Sequence, residues 1–216
     1  MKPERLASLA DGVFAIVLTL LVLELKVPLL AGHVSDMSIW NELKSQSATW
    51  LGFVLSFSFL YTIWRTHHFF MSVLAKNLDN TLLNWNGWFL FFVAIMPFPA
   101  HLLGAYPRSP LAIAVYGLNV MLIGGMVHGM RRYILDSDKI ENIKWTRREE
   151  WSANIRLATP FIASAIAIAL AWRWPMWSLG LFAFGILFNM STFSVRSIYR
   201  MLTLFGVNVP PIENGR

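Results

Sequence analysis

The sequence contains no cysteine among its 216 residues. This absence excludes a disulfide-stapled scaffold and any metal site built from thiolates. Charged side chains are also scarce: Asp, Glu, Lys and Arg make up only 14% of the chain, whereas 56% of the residues are hydrophobic. A soluble domain of this size has too small an interior for so much apolar surface, so the composition excludes a soluble globular protein.

Long apolar runs and a mean hydropathy of +0.52 indicate an integral membrane protein instead. A hydrocarbon core of about 30 Å needs roughly 20 helical residues. Windows of that length predict six transmembrane helices, at 6–25, 49–71, 81–103, 110–130, 153–172 and 177–201. Strands of a membrane barrel would alternate apolar and polar residues over about ten positions. These runs are continuously apolar, so the predicted fold is all-α, with a single six-helix transmembrane domain over 1–216.

Charge along the chain predicts the topology. Four of the 18 Lys and Arg lie in or beside the odd-numbered connections, namely Lys26, Lys44, Arg108 and Arg173. The positive-inside rule therefore places both termini in the cytoplasm. This topology explains the net charge of +6, and no basic face of a soluble domain indicates binding to nucleic acid. Only the connections at 33–47 and 131–152 are long, and both are predicted to be too short for a separate domain.

The first predicted span carries an acid near each end, Asp11 and Glu24. Charge inside a membrane span is costly and indicates a function. The two acids also argue against a cleaved signal peptide, whose apolar core is uncharged. The segment is therefore predicted to remain as a transmembrane helix.

One face of this first helix carries a narrow apolar stripe. On a helical wheel at about 100° per residue, the stripe consists of Ile16, Leu20 and Leu23. Thr19 lies on its shoulder, and Asp11 lies on nearly the opposite side. Such a stripe most often packs against other helices or faces lipid. If four such helices met around an axis, however, the stripes would form stacked rings of the kind that gate pores by dewetting. Periodicity leaves both interpretations open.

Several segments of the first half together carry a family resemblance. Arg5 is followed by Leu-Ala-Asp-Gly-Val-Phe-Ala-Ile over 9–16 and Thr-Leu-Leu-Val-Leu-Glu-Leu-Lys-Val-Pro over 19–28. The later segments are Trp-Arg-Thr-His-His over 64–68, Leu-Leu-Asn over 82–84 and Met-Pro-Phe-Pro over 96–99. The chain resembles bacterial members of the transmembrane protein 175 family, six-helix potassium-permeable channels related to the lysosomal and endosomal potassium channel of animals. The family hallmark is Arg, three residues, then Phe-Ser-Asp, and here Leu9 and Ala10 replace Phe and Ser.

The resemblance implies a potassium channel of the bacterial inner membrane. In the family the first helix lines the pore, and an apolar residue five positions after the motif aspartate forms the narrowest ring, which implies that role for Ile16. Further rings map onto Leu20 and Leu23, and the hydroxyl associated with potassium preference maps onto Thr19. Animal members carry two six-helix units per chain and pair up. A chain with one unit therefore implies a homotetramer, with membrane lipids and permeating monovalent cations as its other partners.

The resemblance also implies an interhelical network around the motif. Arg5 and Asp11 lie about 240° apart on the helix, so they do not face each other directly. The candidate partners on neighbouring helices are Trp64, His67, His68 and Asn84. For His67 and His68 a packing or interfacial role also remains open, because a histidine beside a span end is more often structural than a proton relay.

Glu24 lies near the predicted extracytoplasmic mouth, where two roles remain open. Four copies would concentrate cations, or Glu24 would simply pair with Lys26. His101 and His128 have no carboxylate or second histidine at ligand spacing, so we predict no metal site, and no cofactor beyond permeant potassium ions. Nothing in the sequence resembles the glycine-rich carbonyl filter of ordinary potassium channels, so we expect only a modest preference for potassium over sodium.

Two other functions remain as alternatives. A proton-coupled secondary transporter would use Asp11 and a histidine of the second helix, but the inverted repeats and broken helices typical of transporters are not evident in the sequence. An intramembrane enzyme would need convergent catalytic groups, and the acids near the span ends form no paired motif. We therefore predict that the protein is not an enzyme.

Overall fold

The structure, a computed structural model, describes residues 3–30, 34–71, 75, 77–140, 147–190, 197 and 204. It is built from α-helices, which confirms the predicted all-α class. The helices are α1 (Pro3–Leu20), α2 (Asp36–Ser45), α3 (Ser47–Phe69), α4 (Asn80–Ile95), α5 (Pro97–Ala105), α6 (Pro110–Asp136), α7 (Arg147–Leu170) and α8 (Pro175–Met190). A 3₁₀ turn, Leu21–Glu24, continues directly from α1.

Local sequence signals set the starts of several helices. Ser35 and Ser38 form a capping box at α2, in which the backbone N–H of Ser38 donates to Ser35 Oγ at 3.2 Å. Asp79 caps α4 by accepting a backbone N–H of the first turn at 2.8 Å. α6 and α8 begin at Pro110 and Pro175, because a proline at the first helical position lacks only an N–H that has no partner there.

The third predicted span is broken into two helices. Asn80–Ala105 is one apolar segment of 26 residues, and the sequence predicts one helix over 81–103. Pro97 has no backbone N–H and cannot continue the hydrogen-bond ladder, so α4 ends and α5 begins at this point. The N–H of Met96 donates instead to the carbonyl of Val93 at 3.1 Å, a bond of the tighter 3₁₀ type.

Within the described residues, five helical segments are long and apolar enough to cross a membrane. They are Glu4–Glu24, Ser47–Phe69, Asn80–Ala105, Pro110–Asp136 and Ala153–Ala171. The apolar helix Pro175–Asn189 is shorter, and the end of the predicted span 177–201 lies outside the described residues. A helical protein with several spans is thus confirmed, and the count of six remains a prediction.

The helices extend beyond the apolar windows from which the spans were predicted. α6 continues to Asp136 rather than ending at 130, and α7 begins at Arg147 rather than at 153. The connection at 33–47 was expected to be a loop, yet it contains α2. A hydropathy window ends where charged residues begin, whereas helical hydrogen bonds continue through them, which accounts for these differences.

Consecutive spans run antiparallel. Asp11, in the first half of α1, contacts Trp64, in the last third of α3. Asp79, just before α4, accepts a hydrogen bond from Tyr133, late in α6. Asn189, late in α8, donates to a backbone carbonyl early in α7 at 2.8 Å. We call the end of the bundle where α1 begins the N-terminal end. The opposite end, with the 3₁₀ turn and the connection from α5 to α6, is called the far end.

Small residues allow α5 to approach α3 closely at the far end. A Cβ atom added to Gly104 would lie 3.0 Å from Cα of Thr49, and one added to Gly52 would lie 3.2 Å from the carbonyl oxygen of Ala100. Helices in membranes associate through close backbone packing of this kind. α5 is therefore held firmly against the first half of α3.

Candidate functional site

α1 and the 3₁₀ turn that continues it carry two apolar faces, one buried and one exposed. Phe14 and Leu21 are each 1% exposed, because they pack into the core of the bundle. Ile16 is 61% exposed, Leu20 42% and Leu23 69% in the single chain. The stripe predicted from the sequence therefore does not pack inside its own protomer, and it remains available to other copies of the chain or to lipid.

The 3₁₀ turn aligns Leu20 and Leu23, the two residues of the stripe nearest the far end of the bundle. Leu20 lies at the junction of the two helix types, and Leu23 follows three residues later within the turn. Side chains three residues apart nearly eclipse each other in a 3₁₀-helix. Leu23 is therefore aligned with Leu20 along the helix axis, more closely than two residues three positions apart would be in a continuous α-helix.

The Thr19 hydroxyl bonds to its own helix. Its Oγ1 donates to the carbonyl oxygens of Ile16 at 2.8 Å and Ala15 at 3.0 Å. The hydroxyl proton is thereby used inside the helix, and the lone pairs of the exposed oxygen remain available to accept from water or to coordinate a cation. This geometry places an exposed hydroxyl oxygen beside the apolar stripe.

The structure brings Asp11 to two of its candidate partners. Trp64 Nε1 donates to Asp11 Oδ1 at 2.8 Å, and His68 Nδ1 lies 3.8 Å from the same oxygen. The Asp11 and His68 side chains are 45% and 50% exposed, so this cluster is open at its surface. Arg5 is also exposed, six residues earlier in α1, and takes no part in the described contacts of Asp11.

His67 contacts Asn86, a residue that the sequence did not suggest as its partner. Its Nε2 lies 2.6 Å from Asn86 Oδ1, and its ring stacks on Phe89 with centroids 4.8 Å apart. Phe14 packs beside both rings, at centroid distances of 6.5 Å and 5.9 Å. The buried face of α1 is thus seated on an aromatic surface that joins α3 to α4.

Asn84 does not join this network. It lines an open pocket of about 350 Å³ together with Thr81, Trp85, Trp88 and Met126. Asn86 was not singled out from the sequence, although a polar residue on a largely apolar helix is a signal that it needs a buried partner. Two residues correspond to about 200° on a helix, which is why the two asparagines point to different surroundings.

Of the two positions that depart from the family hallmark, one is fully buried and the other is exposed. Ala10 is completely buried, whereas its neighbour Leu9 is 53% exposed. At this position the small apolar side chain packs in the core and needs no hydrogen-bond partner.

Glu24 contacts a residue that the sequence did not suggest as its partner. The end of the 3₁₀ turn brings its Oε2 into direct contact with His101 Nδ1 of α5. Glu24 is 28% exposed and His101 46%, so the pair is partly open at the far end. The two residues are far apart in sequence and belong to different spans, which is why ligand spacing along the chain gave no signal.

Comparison with known proteins assigns the family. The family described as endosomal/lysosomal potassium channel TMEM175 matches residues 5–97. Over 150 residues the chain is 33% identical to a potassium channel of Chamaesiphon minutus, and this alignment covers 67% of the chain and 72% of the relative. The chain belongs to the TMEM175 family. The resemblance found in the sequence is thereby confirmed.

Other relatives agree with this TMEM175 assignment. A potassium channel of Streptomyces collinus is 36% identical over 118 residues, which cover 53% of this chain and 55% of that protein. The crystal structure of a lysosomal potassium-selective channel TMEM175 homolog from Chamaesiphon minutus superposes with a TM-score of 0.70 at 26% identity, covering 87% of this chain and 96% of that one. The protein is therefore a multi-pass member of a potassium channel family and not an enzyme. The transporter alternative is not favoured.

Proposed function

We propose that four copies of this chain form a potassium-permeable channel in the bacterial inner membrane, with α1 of each copy lining the pore. The observation that carries the proposal is the exposed stripe of Ile16, Leu20 and Leu23, on a helix whose opposite face is buried in the bundle. A fourfold arrangement would turn this stripe toward the axis and form three stacked apolar rings. The relatives named potassium channels support the function as a potassium channel.

Ile16 would form the narrowest ring, with Leu20 and Leu23 above it. Apolar rings of this kind admit ions only when water wets the constriction, so they serve as a gate. They distinguish cations mainly by the cost of dehydration. For this reason the preference for potassium over sodium would be modest.

Thr19 would assist selectivity. Its oxygen stands at the edge of the stripe with its proton bonded to the helix backbone. Four such oxygens around an axis would offer partial coordination to a cation between the Ile16 and Leu20 levels. A larger, less strongly hydrated ion such as potassium gives up its water more readily there.

In this arrangement both termini face the cytoplasm, and the far end faces outward. Glu24 would then stand at the outer mouth of the pore, where its carboxylate attracts cations. The Asp11 cluster lies toward the cytoplasmic end. Its bond to Trp64 would hold α1 in the orientation that turns Ile16 to the axis.

Potassium and sodium flux into proteoliposomes tests the proposal. In the Ile16→Ala variant we expect flux of both ions to rise severalfold, because a smaller side chain widens the narrowest ring. Ile162→Ala is the matched control, since Ile162 is similarly exposed, at 54%, but lies on α7. Unchanged flux in Ile16→Ala, or an equal rise in both variants, would remove Ile16 from the constriction. Native mass spectrometry should report a tetramer, and a monomer would overturn the assembly.

A further inference from the structure

The open pocket between α4 and α6 lies on the outer surface of the bundle, toward the N-terminal end. Thr81, Asn84, Trp85 and Trp88 of α4 line it together with Met126 of α6, around a volume of about 350 Å³. The four residues of α4 recur at spacings of three and four, so they form one stripe along the helix. At about 1.5 Å per residue, the stripe is roughly 10 Å long. The pocket therefore extends from the start of this span toward the middle of the bilayer.

One wall of the pocket is formed by an indole that packs directly on α6. A Cβ atom added to Gly129 would lie 2.5 Å from Cζ3 of Trp85, so only glycine leaves room for this ring. Trp85 is half-buried as a result, whereas Trp88 is exposed. A wall held by helix packing has little side-chain freedom to lose when a ligand binds.

The polar groups of the pocket have no protein partners. Among the described residues, none forms a hydrogen bond with the side chain of Thr81, Asn84, Trp85 or Trp88. Asn84 is exposed just over one turn inside the span, where hydrocarbon offers no hydrogen bonds and an unpaired amide is costly. An indole N–H can only donate. The pocket therefore fits a ligand that supplies acceptor oxygens.

The charged groups at this end of α4 are compatible with an anionic ligand. The carboxylate of Asp79 already accepts from the backbone N–H of Leu82 and from the hydroxyl of Tyr133. The charge of Lys139 acts on Asp79, and the carbonyl of Lys139 accepts from Asn77 at 2.9 Å. A basic residue is thus held at the end of the span where the pocket begins. Basic residues at this level of a membrane protein favour the phosphates of lipids.

We propose that the pocket binds one phospholipid of the cytoplasmic leaflet per chain. Its phosphate oxygens accept from Thr81 and Asn84, and an acyl chain lies along Trp88 and Met126. The polar end, the indoles and the apolar end follow the order of phosphate, interface and acyl chain in a leaflet. The choice of leaflet rests on the topology of the proposed function, whereas the lipid chemistry does not.

Native mass spectrometry of the full chain, titrated in detergent with palmitoyl-oleoyl phosphatidylglycerol, tests the inference. Wild type should retain one phospholipid per chain, and Asn84→Leu should bind it about tenfold more weakly, because a hydrogen bond to a charged group is lost. Asn41→Leu is the matched control, since Asn41 is also an exposed helical asparagine, on α2, and should leave the affinity unchanged. Equal affinities of wild type and Asn84→Leu would overturn the proposal.

Photolabelling of wild type gives a second measurement that does not depend on how a variant folds. A phosphatidylglycerol with a diazirine on its acyl chain, added in detergent, should label the peptides that contain Trp88 and Met126. Excess unlabelled phosphatidylglycerol should displace most of this label, and dioleoylglycerol, which lacks the phosphate, should not. Trp177 of α8, which is 73% exposed, reports unspecific lipid contact.

Labelling at the pocket no stronger than at Trp177, or equal displacement by dioleoylglycerol, would overturn the phospholipid site. Either result would leave the channel function standing, because neither measurement involves ion flux. Since the lipid is counted per chain, a chain that proves monomeric would overturn the proposed assembly without removing the lipid site.

Discussion

Trp64 donates its indole N–H to Asp11 Oδ1 at 2.8 Å, and this bond joins the last third of α3 to the first half of α1. The bond is made on the side of α1 away from the exposed stripe. The bond fixes the rotation of α1 about its own axis, because any rotation of the helix would move the Asp11 carboxylate away from the Trp64 indole.

The first prediction concerns this bond. Trp64→Phe keeps an aromatic ring but removes the donor, and we expect a loss of about 1 kcal/mol in stability, since interhelical hydrogen bonds in membranes contribute modestly. Thermal unfolding in detergent measures the effect. Trp88→Phe is the control, because Trp88 is 60% exposed and no hydrogen bond is described for it. Equal effects in the two variants would mean that the Asp11 bond does not stabilise the fold.

The second prediction separates the two faces of α1. Phe14→Ala removes a ring that is 99% buried and packs against His67 and Phe89, so it should cost about 3 kcal/mol of stability. Ile16→Ala should leave the unfolding temperature of the protomer nearly unchanged. Comparable destabilisation by both variants would show that the exposed stripe is part of the folded core.

The third prediction concerns ion preference. Thr19→Val removes the exposed oxygen at nearly constant volume, and the ratio of potassium to sodium flux should fall roughly threefold, equivalent to about 0.7 kcal/mol. Thr62→Val is the control, because the Thr62 hydroxyl also donates to the backbone four residues earlier, at 2.9 Å, but lies on α3. A flux ratio that survives Thr19→Val would exclude the hydroxyl from selectivity.

The fourth prediction concerns the close approach of α5 to α3. Gly104→Ala would place its Cβ 3.0 Å from the backbone of Thr49, and backbone atoms cannot move cheaply, so we expect about 1–3 kcal/mol of destabilisation. Gly180→Ala should be neutral or slightly stabilising, because a Cβ there has nothing within 4 Å. Differential scanning fluorimetry distinguishes them, and a harmless Gly104→Ala would contradict the described packing.

The fifth prediction is a dependence of stability on pH at the N-terminal end. Desolvation raises the pKa of Asp79, but hydrogen bonds from Tyr133 and Leu82 and the charge of Lys139 outweigh it, so the pKa lies below the ordinary value of 3.8. A lowered native pKa means that the carboxylate stabilises the fold above pH 3.8 and that this stability is lost as the pH falls through the native value.

Unfolding temperatures in detergent between neutral pH and about pH 3 measure this effect. Asp79→Asn should be less stable than wild type at neutral pH, and the difference should shrink in acid. Asp138→Asn serves as the control, since Asp138 is exposed beyond the end of α6. A difference between wild type and Asp79→Asn that is constant with pH would show that the charge of Asp79 does not matter.

The sequence predicted features that depend on one helix at a time. The stripe of Ile16, Leu20 and Leu23 follows from helical periodicity, and the structure places it on one exposed face. Periodicity does not show which of two apolar faces enters the core, because both have the same polarity. Only packing against α3 and α4 distinguishes Phe14 from Ile16.

Contacts between distant spans were harder to predict. Asn86 rather than Asn84 reaches His67, and His101 rather than Lys26 contacts Glu24. Each depends on how two helices are rotated against each other, which spacing along one chain does not encode. The break between α4 and α5 was marked in the sequence by Pro97 itself. A hydropathy window averages over many residues, however, so it does not detect a single helix-breaking proline.

The separation of the two faces of α1 also bears on how this protein can change over evolution. A substitution at Phe14 or Leu21 directly changes the packing of the bundle. A substitution at Ile16 or Leu23 meets little of its own protomer, so selection for correct folding scarcely constrains it. The chain can therefore vary the size of these side chains, and with it whatever passes beside them, without first acquiring compensating changes in the interior.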